Sequence, residues 1–146
     1  RWPEITERRA MDSLSRISAT AASGMRAQGD RLRIVSENLA NASSTAQTAG
    51  GDPYQRKTIS FESATDPSTG AAIVQSAGVL RDDADFTLRY EPSHPAADQN
   101  GYIKMPNVNP LIEMSNMREA ARSYEANLSM LDKARDMRRQ LVELLK

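Results

Sequence analysis

The sequence contains no cysteine, which excludes a disulfide framework and any thiolate metal site. Histidine is almost as scarce, since His94 stands alone. One imidazole cannot build a multi-histidine metal centre, and a Ser-His-Asp arrangement would have to rest on it entirely. Aromatic residues make up 5% of the chain: Trp2, Tyr54, Phe61, Phe86, Tyr90, Tyr102 and Tyr124. Aromatics carry much of the apolar area of a globular core. With a hydrophobic fraction of only 39%, such a chain is expected to be elongated or to complete its burial in an assembly. No run of about 18 apolar residues exists, so no membrane-spanning helix is expected. No basic-then-apolar leader is visible either. If the protein leaves the cytoplasm, the expected route is one that cleaves no such signal. Charge of one sign is also missing, with 19 basic and 19 acidic residues. A nucleic-acid binder should show a basic excess or stripe. Residues 1–44 are slightly basic, 45–107 slightly acidic and 108–146 nearly neutral, so electrostatics names no partner class.

What the chain does have is helical periodicity at both ends. The first ten residues, RWPEITERRA, look detached from the rest of the chain. Met11 reads as a natural start, with Asp12 and Ser13 as helix N-cap candidates. From Ser13 to about Ala40, Leu14, Ser18, Ala21, Met25, Gln28, Leu32, Val35 and Leu39 alternate spacings of four and three. That is a heptad seam, interrupted by polar Ser18 and Gln28. These two residues either fix register or face solvent, and both readings stand. A second helix is expected from Pro110, with Asn109 as N-cap and Pro110 in the favoured first position. Glu113 sits early, where the helix dipole favours an acid. Met114, Met117, Ala121, Tyr124, Leu128 and Leu131 continue a similar seam. The stripe then drifts through Ala134, Met137, Leu141 and Leu144, as it does on a straight helix.

Between the helices the signal is turns and short alternating runs. Asn41–Thr45 and Gly50–Pro53 carry loop chemistry. Residues 56–61, 72–75 and 85–90 read as strands. The expected fold is therefore mainly α. Long N- and C-terminal helices pair as an antiparallel coiled-coil-like hairpin around a small β-rich or extended middle. The expected division is an extension at 1–10, a paired helical core of 11–41 and 108–146, and an insertion at 42–107. The expected pairing surface is Leu14, Ala21, Met25, Leu32, Val35 and Leu39 against Met114, Met117, Ala121, Tyr124, Leu128, Leu131 and Leu141. A two-helix pair leaves half of each apolar stripe wet, so stability through neighbouring subunits is the natural inference.

Candidate chemistry is thin. His94 lies between prolines in Glu91-Pro92-Ser93-His94-Pro95 and reads as an exposed loop residue. Asp82, Asp83 and Asp85 lack the glycine turn and terminal glutamate of an EF-hand loop. They read as a solvated acidic turn. Gly50-Gly51-Asp52 follows no strand and precedes no Lys-Thr pair, so it is not a phosphate loop. Met114, Met117, Met130 and Met137 sit at helical spacing and read as packing residues. Arg31/Arg33 and Arg138/Arg139 lie close to acids and read as solvated faces or inter-subunit salt bridges. No catalytic, cofactor-binding or metal-binding residue is expected, and no cofactor.

Two stretches resemble a known family. Asn38-Leu39-Ala40-Asn41, within Ser36–Ala42, is similar to a signature near the N-terminus of bacterial flagellar axial proteins, the rod, hook and hook-associated subunits. Gly101-Tyr102-Ile103-Lys104-Met105-Pro106-Asn107-Val108 resembles a signature of the FlgC family of proximal-rod proteins. Pro53–Lys57, Tyr90–Asp98 and Ser123–Asn127 also look like that family. The resemblance runs from Met11 to the C-terminus. It departs at Leu131-Asp132-Lys133-Ala134, where the family often has Asn-Thr-Ala-Lys.

The resemblance implies a structural subunit of the flagellar basal-body rod. Such proteins transmit torque and surround the export channel with their paired end helices. It implies other rod proteins, copies of the chain itself, the rod/ring adaptor at the inner-membrane ring and the flagellar type III export apparatus as partners. Neither nucleic acid nor membrane insertion is implied. The implied location is the periplasm-spanning rod, reached without a cleaved signal peptide. The alternative is a helical adaptor or translocator module of a type III export system, which a well-behaved monomer with both helices folded would favour. An enzyme reading would rest on His94 alone.

Overall fold

The structure is a computed structural model. It describes the backbone of residues 2–144 and the side chains of residues 4–144. The ends of the expected 1–10 extension and of the last helix lie in part outside the described residues. In order come α1 (Trp2–Ala40), β1 (Lys57–Thr65), β2 (Ala72–Arg81), β3 (Thr87–Tyr90), β4 (Tyr102–Met105) and α2 (Pro110–Leu144). The two helices, of 39 and 35 residues, hold about half of the chain. β1 pairs with β2 and β3 with β4, in two separate two-stranded sheets.

The start of α1 differs from the expected cap at Asp12 or Ser13. The helix begins at Trp2 and runs unbroken through residues 2–12. Ser13 does not cap anything: its Oγ donates to the Arg9 carbonyl at 2.9 Å, one turn back inside the helix. Pro3 stands in the first turn, where its missing N–H costs nothing. Glu4 complements the positive end of the dipole. The start of α2 falls where the sequence puts it. Asn109 Oδ1 accepts from the backbone N–H of Leu111 at 3.0 Å and more weakly from Ile112.

The chain divides into two compact units, and each takes a piece of both helices. The first comprises Arg1–Asp30, Ser60–Ala77 and Ala120–Lys146. Within it α1 and α2 run in opposite directions, since Arg138 Nη2 donates to Ser15 Oγ while Gly24 abuts Asn127. Its buried residues are mostly small: Ala21, Ser23, Ala27, Ala71, Ala120 and Ala134, with Leu14 the largest. Small side chains let the helix backbones approach closely. A Cβ added at Gly24 would lie 2.7 Å from Asn127 Oδ1.

In the same unit the turn between β1 and β2 is bound to one face of α1. Arg16 Nε donates to Thr69 O at 3.0 Å, and Thr20 Oγ1 donates to Ala72 O at 2.7 Å. Ser23 Oγ accepts from the Val74 N–H at 3.1 Å and donates to Thr20 O. Positions 16, 20 and 23 share a helix face by spacing. Asp66 shapes the turn by accepting from Ser68 N, Ser68 Oγ and Thr69 N. These hydrogen bonds hold the Asp66 carboxyl below its usual range.

The second unit comprises Arg31–Ile59 and Gly78–Glu119. Ile34, Val35, Ala96, Ile103 and Val108 form its apolar core, with Ile103 completely enclosed. β4 lies where the alternation pattern predicts no strand. It pairs antiparallel with β3 in the register Tyr90↔Tyr102 to Thr87↔Met105. Tyr90 and Tyr102 meet edge to face across it, with ring centroids 5.2 Å apart. Gly101 precedes it at φ +84°, and a Cβ there would fall 2.9 Å from the Tyr90 ring. Only glycine takes both the backbone conformation and the space.

Candidate functional site

The end of α1 and the start of α2 meet, in the second unit, through a buried polar node. Asn38 is 1% exposed and Glu113 is fully buried. Asn38 Oδ1 accepts from Lys57 N and from Tyr54 Oη, each at 2.8 Å. Its Nδ2 donates to Lys57 O at 2.8 Å and to Glu113 Oε2 at 3.3 Å. A carboxamide offers two donors and two strong acceptor positions, and here all four are used. The Lys57 N–H can only donate, which fixes the orientation of the amide. Asp would lose both donors and set a second carboxylate against Glu113. Leu would leave Lys57 N, Lys57 O and Tyr54 Oη without this partner.

Glu113 is a charge removed from water, and such a group needs a partner. Arg56 Nε supplies it at 2.5 Å from Glu113 Oε1. Arg56 Nη1 reaches Asp82 Oδ2 at 3.0 Å, so one guanidinium joins two carboxylates. Burial works against the Arg56 charge, but the hydrogen bonds to Glu113 and Asp82 outweigh it and raise its pKa above the usual value. Asp82 is held below the usual carboxylate range, first by the Ala84 N–H on its Oδ1 and then by Arg56. Burial raises the Tyr54 phenol above its ordinary value, and the negative charges of Glu37 and Glu113 add to that.

Asn107 closes the node from the other side. Its Oδ1 accepts from Arg56 N at 2.7 Å, and its Nδ2 donates to Asp82 O and Ala84 O, both at 2.9 Å. Lys57 Nζ pairs with Glu37, and Lys104 Nζ pairs with Asp52 at 2.7 Å. The two sequence signatures thus converge, since Asn38 belongs to one and Asn107 to the other. Asn41 plays a local role at the end of α1, donating from Nδ2 to Glu37 O and accepting from Ser44 Oγ. Tyr102 N and Asn100 N both donate to Asp98 Oδ1, which sets the turn into β4.

Periodicity alone does not reveal the node. Tyr54 carries only the family resemblance, Arg56 and Lys57 that and the start of an expected strand, and Glu113 only its favourable position in the first helical turn. Asp82 differs from its neighbours: it is ion-paired, while Asp83 and Asp85 are exposed. The node is not a catalytic arrangement. It contains no nucleophile–base pair, and its side chains are occupied by hydrogen bonds to one another and, at Asn38 and Asn107, to backbone. His94 lies apart from these contacts, its Nδ1 accepting from Ala96 N at 3.0 Å within its own turn. No group of three or more potential metal ligands occurs among the described residues.

The residues expected on the helix-pairing surface fall into three groups. Leu14, Ala21 and Val35 are buried, and Met25, Leu32, Leu39, Met117, Ala121, Tyr124, Leu131 and Leu141 are half-buried. Met114 is 43% exposed and Leu128 38%. Burial on α2 instead centres on Glu113, Ala120 and Ala134. The remaining motif residues Gly101, Pro106 and Val108 are buried, while Leu39 and Met105 are half-buried and Ala40 is exposed.

Known proteins resolve what this geometry leaves general. The chain is 52% identical over 136 residues to the flagellar basal-body rod protein FlgC of Agrobacterium fabrum, covering 93% of this chain and 98% of the relative. The chain belongs to the FlgC family of flagellar basal-body rod proteins. FlgC of Salmonella typhimurium is 40% identical over 86% of this chain and 92% of its own length. FlgC of Bacillus subtilis is 35% identical over 85% and 93%. Residues 99–144 also match the family described as flagellar basal body rod FlgEFG protein, C-terminal. That match begins just before Gly101 and takes in Asn107, Glu113 and the whole of α2. Members of the FlgC family are structural rod proteins, and this chain is a structural protein and not an enzyme. No helix among the described residues is long and apolar enough to cross a membrane.

Proposed function

We propose that the chain is a subunit of the proximal part of the flagellar basal-body rod, which polymerises with copies of itself and with other rod proteins. Its end helices pair as a coiled-coil-like hairpin in the tubular layer around the export channel, and the rod transmits torque. In this reading residues 11–41 and 108–146 form the axial core, and 42–107 reach over neighbouring subunits. The chain travels through the flagellar type III export apparatus without a cleaved signal, and it contacts the rod/ring adaptor at the inner-membrane ring.

The observation that carries the reading is the buried node within a chain that matches FlgC proteins over more than 90% of their length. A torque-bearing subunit must hold one geometry under load. A fully partnered buried network specifies geometry more sharply than apolar packing does. The exposed Met114 and Leu128 remain available for neighbours, so the pairing surface proposed from the sequence becomes in part an assembly surface.

Deleting the chain's gene in its source cell should stop flagellar assembly before the hook. The intact chain should restore hooks and motility. Leu39→Asp or Leu128→Asp should abolish both while the protein is still made. A charge buried at an assembly contact costs several kcal/mol in every subunit. Complete hooks in the deletion strain would contradict the reading.

A further inference from the structure

Two neighbouring hollows in the first unit share Arg16. One, of about 680 Å³, is polar. Arg9, Asp12, Ser13 and Arg16 of α1 face Ser68 and Thr69 of the β1–β2 turn across it. The other, of about 610 Å³, is mostly apolar, with Ile17, Ala21, Ala72, Ala126 and Met130 along its walls. They lie on either side of the Arg16 side chain and give this groove a charged end and an apolar end. Arg9, Asp12 and Arg16 form no ion pair among the described residues, although Arg16 spends Nε on Thr69 O. The charged end therefore holds two cations and one anion, none of them in an ion pair among the described residues.

The same chain carries a segment of inverse chemistry, Val79-Leu80-Arg81-Asp82-Asp83-Ala84-Asp85. Val79 and Leu80 are 44% and 66% exposed. Asp83, Asp85 and Arg81 are exposed and form no ion pair among the described residues. Only Asp82 is committed, to Arg56. The free groups are two anions and one cation next to an apolar pair, the charge and polarity complement of the groove.

We propose that this groove is the docking site for residues 79–85 of a second copy of the chain. Val79 lies against Ile17 and Met130, Asp85 answers Arg9, Asp83 answers Arg16, and Arg81 answers Asp12. The contact joins one surface to a different surface, so it is heterologous. Repetition of such a contact without closure generates a helical polymer. The proposal rests on the rod reading and adds to it the surface through which copies of this chain join.

The absence of cysteine makes the test direct, because every thiol is an introduced one. Two differently tagged chains, one with Ser68→Cys and one with Ala84→Cys, are expressed together in a strain lacking the native chain. Isolated basal bodies are then treated with a short bifunctional thiol reagent. The expected product is a covalent dimer carrying both tags, which only contact between copies can give. Each chain alone, or Ser68→Cys with Gln99→Cys, should give no such dimer. Arg9→Glu in the Ser68→Cys chain should remove most of it, and Asp85→Arg in the partner chain should restore it. If Ser68→Cys does not support motility, Ser13→Cys takes its place. Basal bodies that contain both chains but yield no mixed dimer overturn the proposal and leave the rod reading intact. Cross-linking of the Ser68→Cys thiol to another protein, or a dimer indifferent to Arg9→Glu, overturns it equally. Basal bodies lacking even the wild-type chain refute the rod reading itself and the proposal with it.

Discussion

The two units bury polar groups in opposite ways. In the second, Asn38 and Glu113 are buried with full sets of partners, and Arg56 answers two carboxylates. In the first, small residues bring helix backbones close, but Gln28 Oε1 and Arg138 Nε are buried without a hydrogen-bond partner among the described residues. Unpartnered buried polar atoms each cost about 1–3 kcal/mol. The second unit therefore answers its buried side-chain polar groups within itself, and on the rod reading the first is completed by neighbours. The lesson is that one pair of helices can be an anchor over part of its length and an assembly surface over the rest.

The largest effect should come from breaking the anchor. Glu113→Leu leaves Arg56 without its buried counter-charge and Asn38 without an acceptor, and should cost about 3–5 kcal/mol in chemical unfolding. Asn38→Asp should follow at about 2–3 kcal/mol, because both amide donors are lost and a second carboxylate arrives beside Glu113. If either variant unfolds at the wild-type midpoint, the node does not hold the second unit.

The first unit should respond less. Ser23→Ala removes the acceptor for the Val74 N–H and the bond to Thr20 O, at a cost of about 1–2 kcal/mol. Its effect should show as faster exchange of the Val74 amide before any change in overall unfolding. A loss as large as that of Glu113→Leu would erase the contrast between the units.

The smallest effect is a pH dependence. The folded pKa of Asp82 lies below the unfolded value of about 3.8, so its contribution to stability is present above that value. It is lost as pH falls through the lower folded pKa. Asp82→Asn should therefore lower stability at neutral pH slightly and flatten the acid limb of a stability profile below about pH 4. An acid limb as steep as the wild type's would place the linkage elsewhere.

Much of the helical frame is legible in the sequence because helix signals are local. Asn109-Pro110 places the start of α2, and heptad-like spacing marks both long helices. The start of α1 is not legible, because Met11-Asp12-Ser13 imitates a cap and nothing local says that residues before it continue the helix. The contact stripe of α2 is only partly legible. Ranking by hydrophobicity draws it through Met114, Ala121 and Leu128, while burial runs one residue earlier at the first two positions, through Glu113 and Ala120, and then reaches Ala134. Small residues permit close approach without being conspicuously apolar. The node is the least legible part, because its members are polar, distant in sequence and joined by single atoms. Only the two motifs hint at it, since Asn38 and Asn107 are unusual residues to specify without a catalytic task.

Amide hydrogen exchange on the dilute, monomeric chain tests the contrast most directly. Exchange should be slow at residues 34–38 and 113–119, where the anchor lies, and fast at 14–27 and 120–141, where neighbours are needed. Equal protection along both helices, or slower exchange at 14–27 and 120–141, would contradict the account.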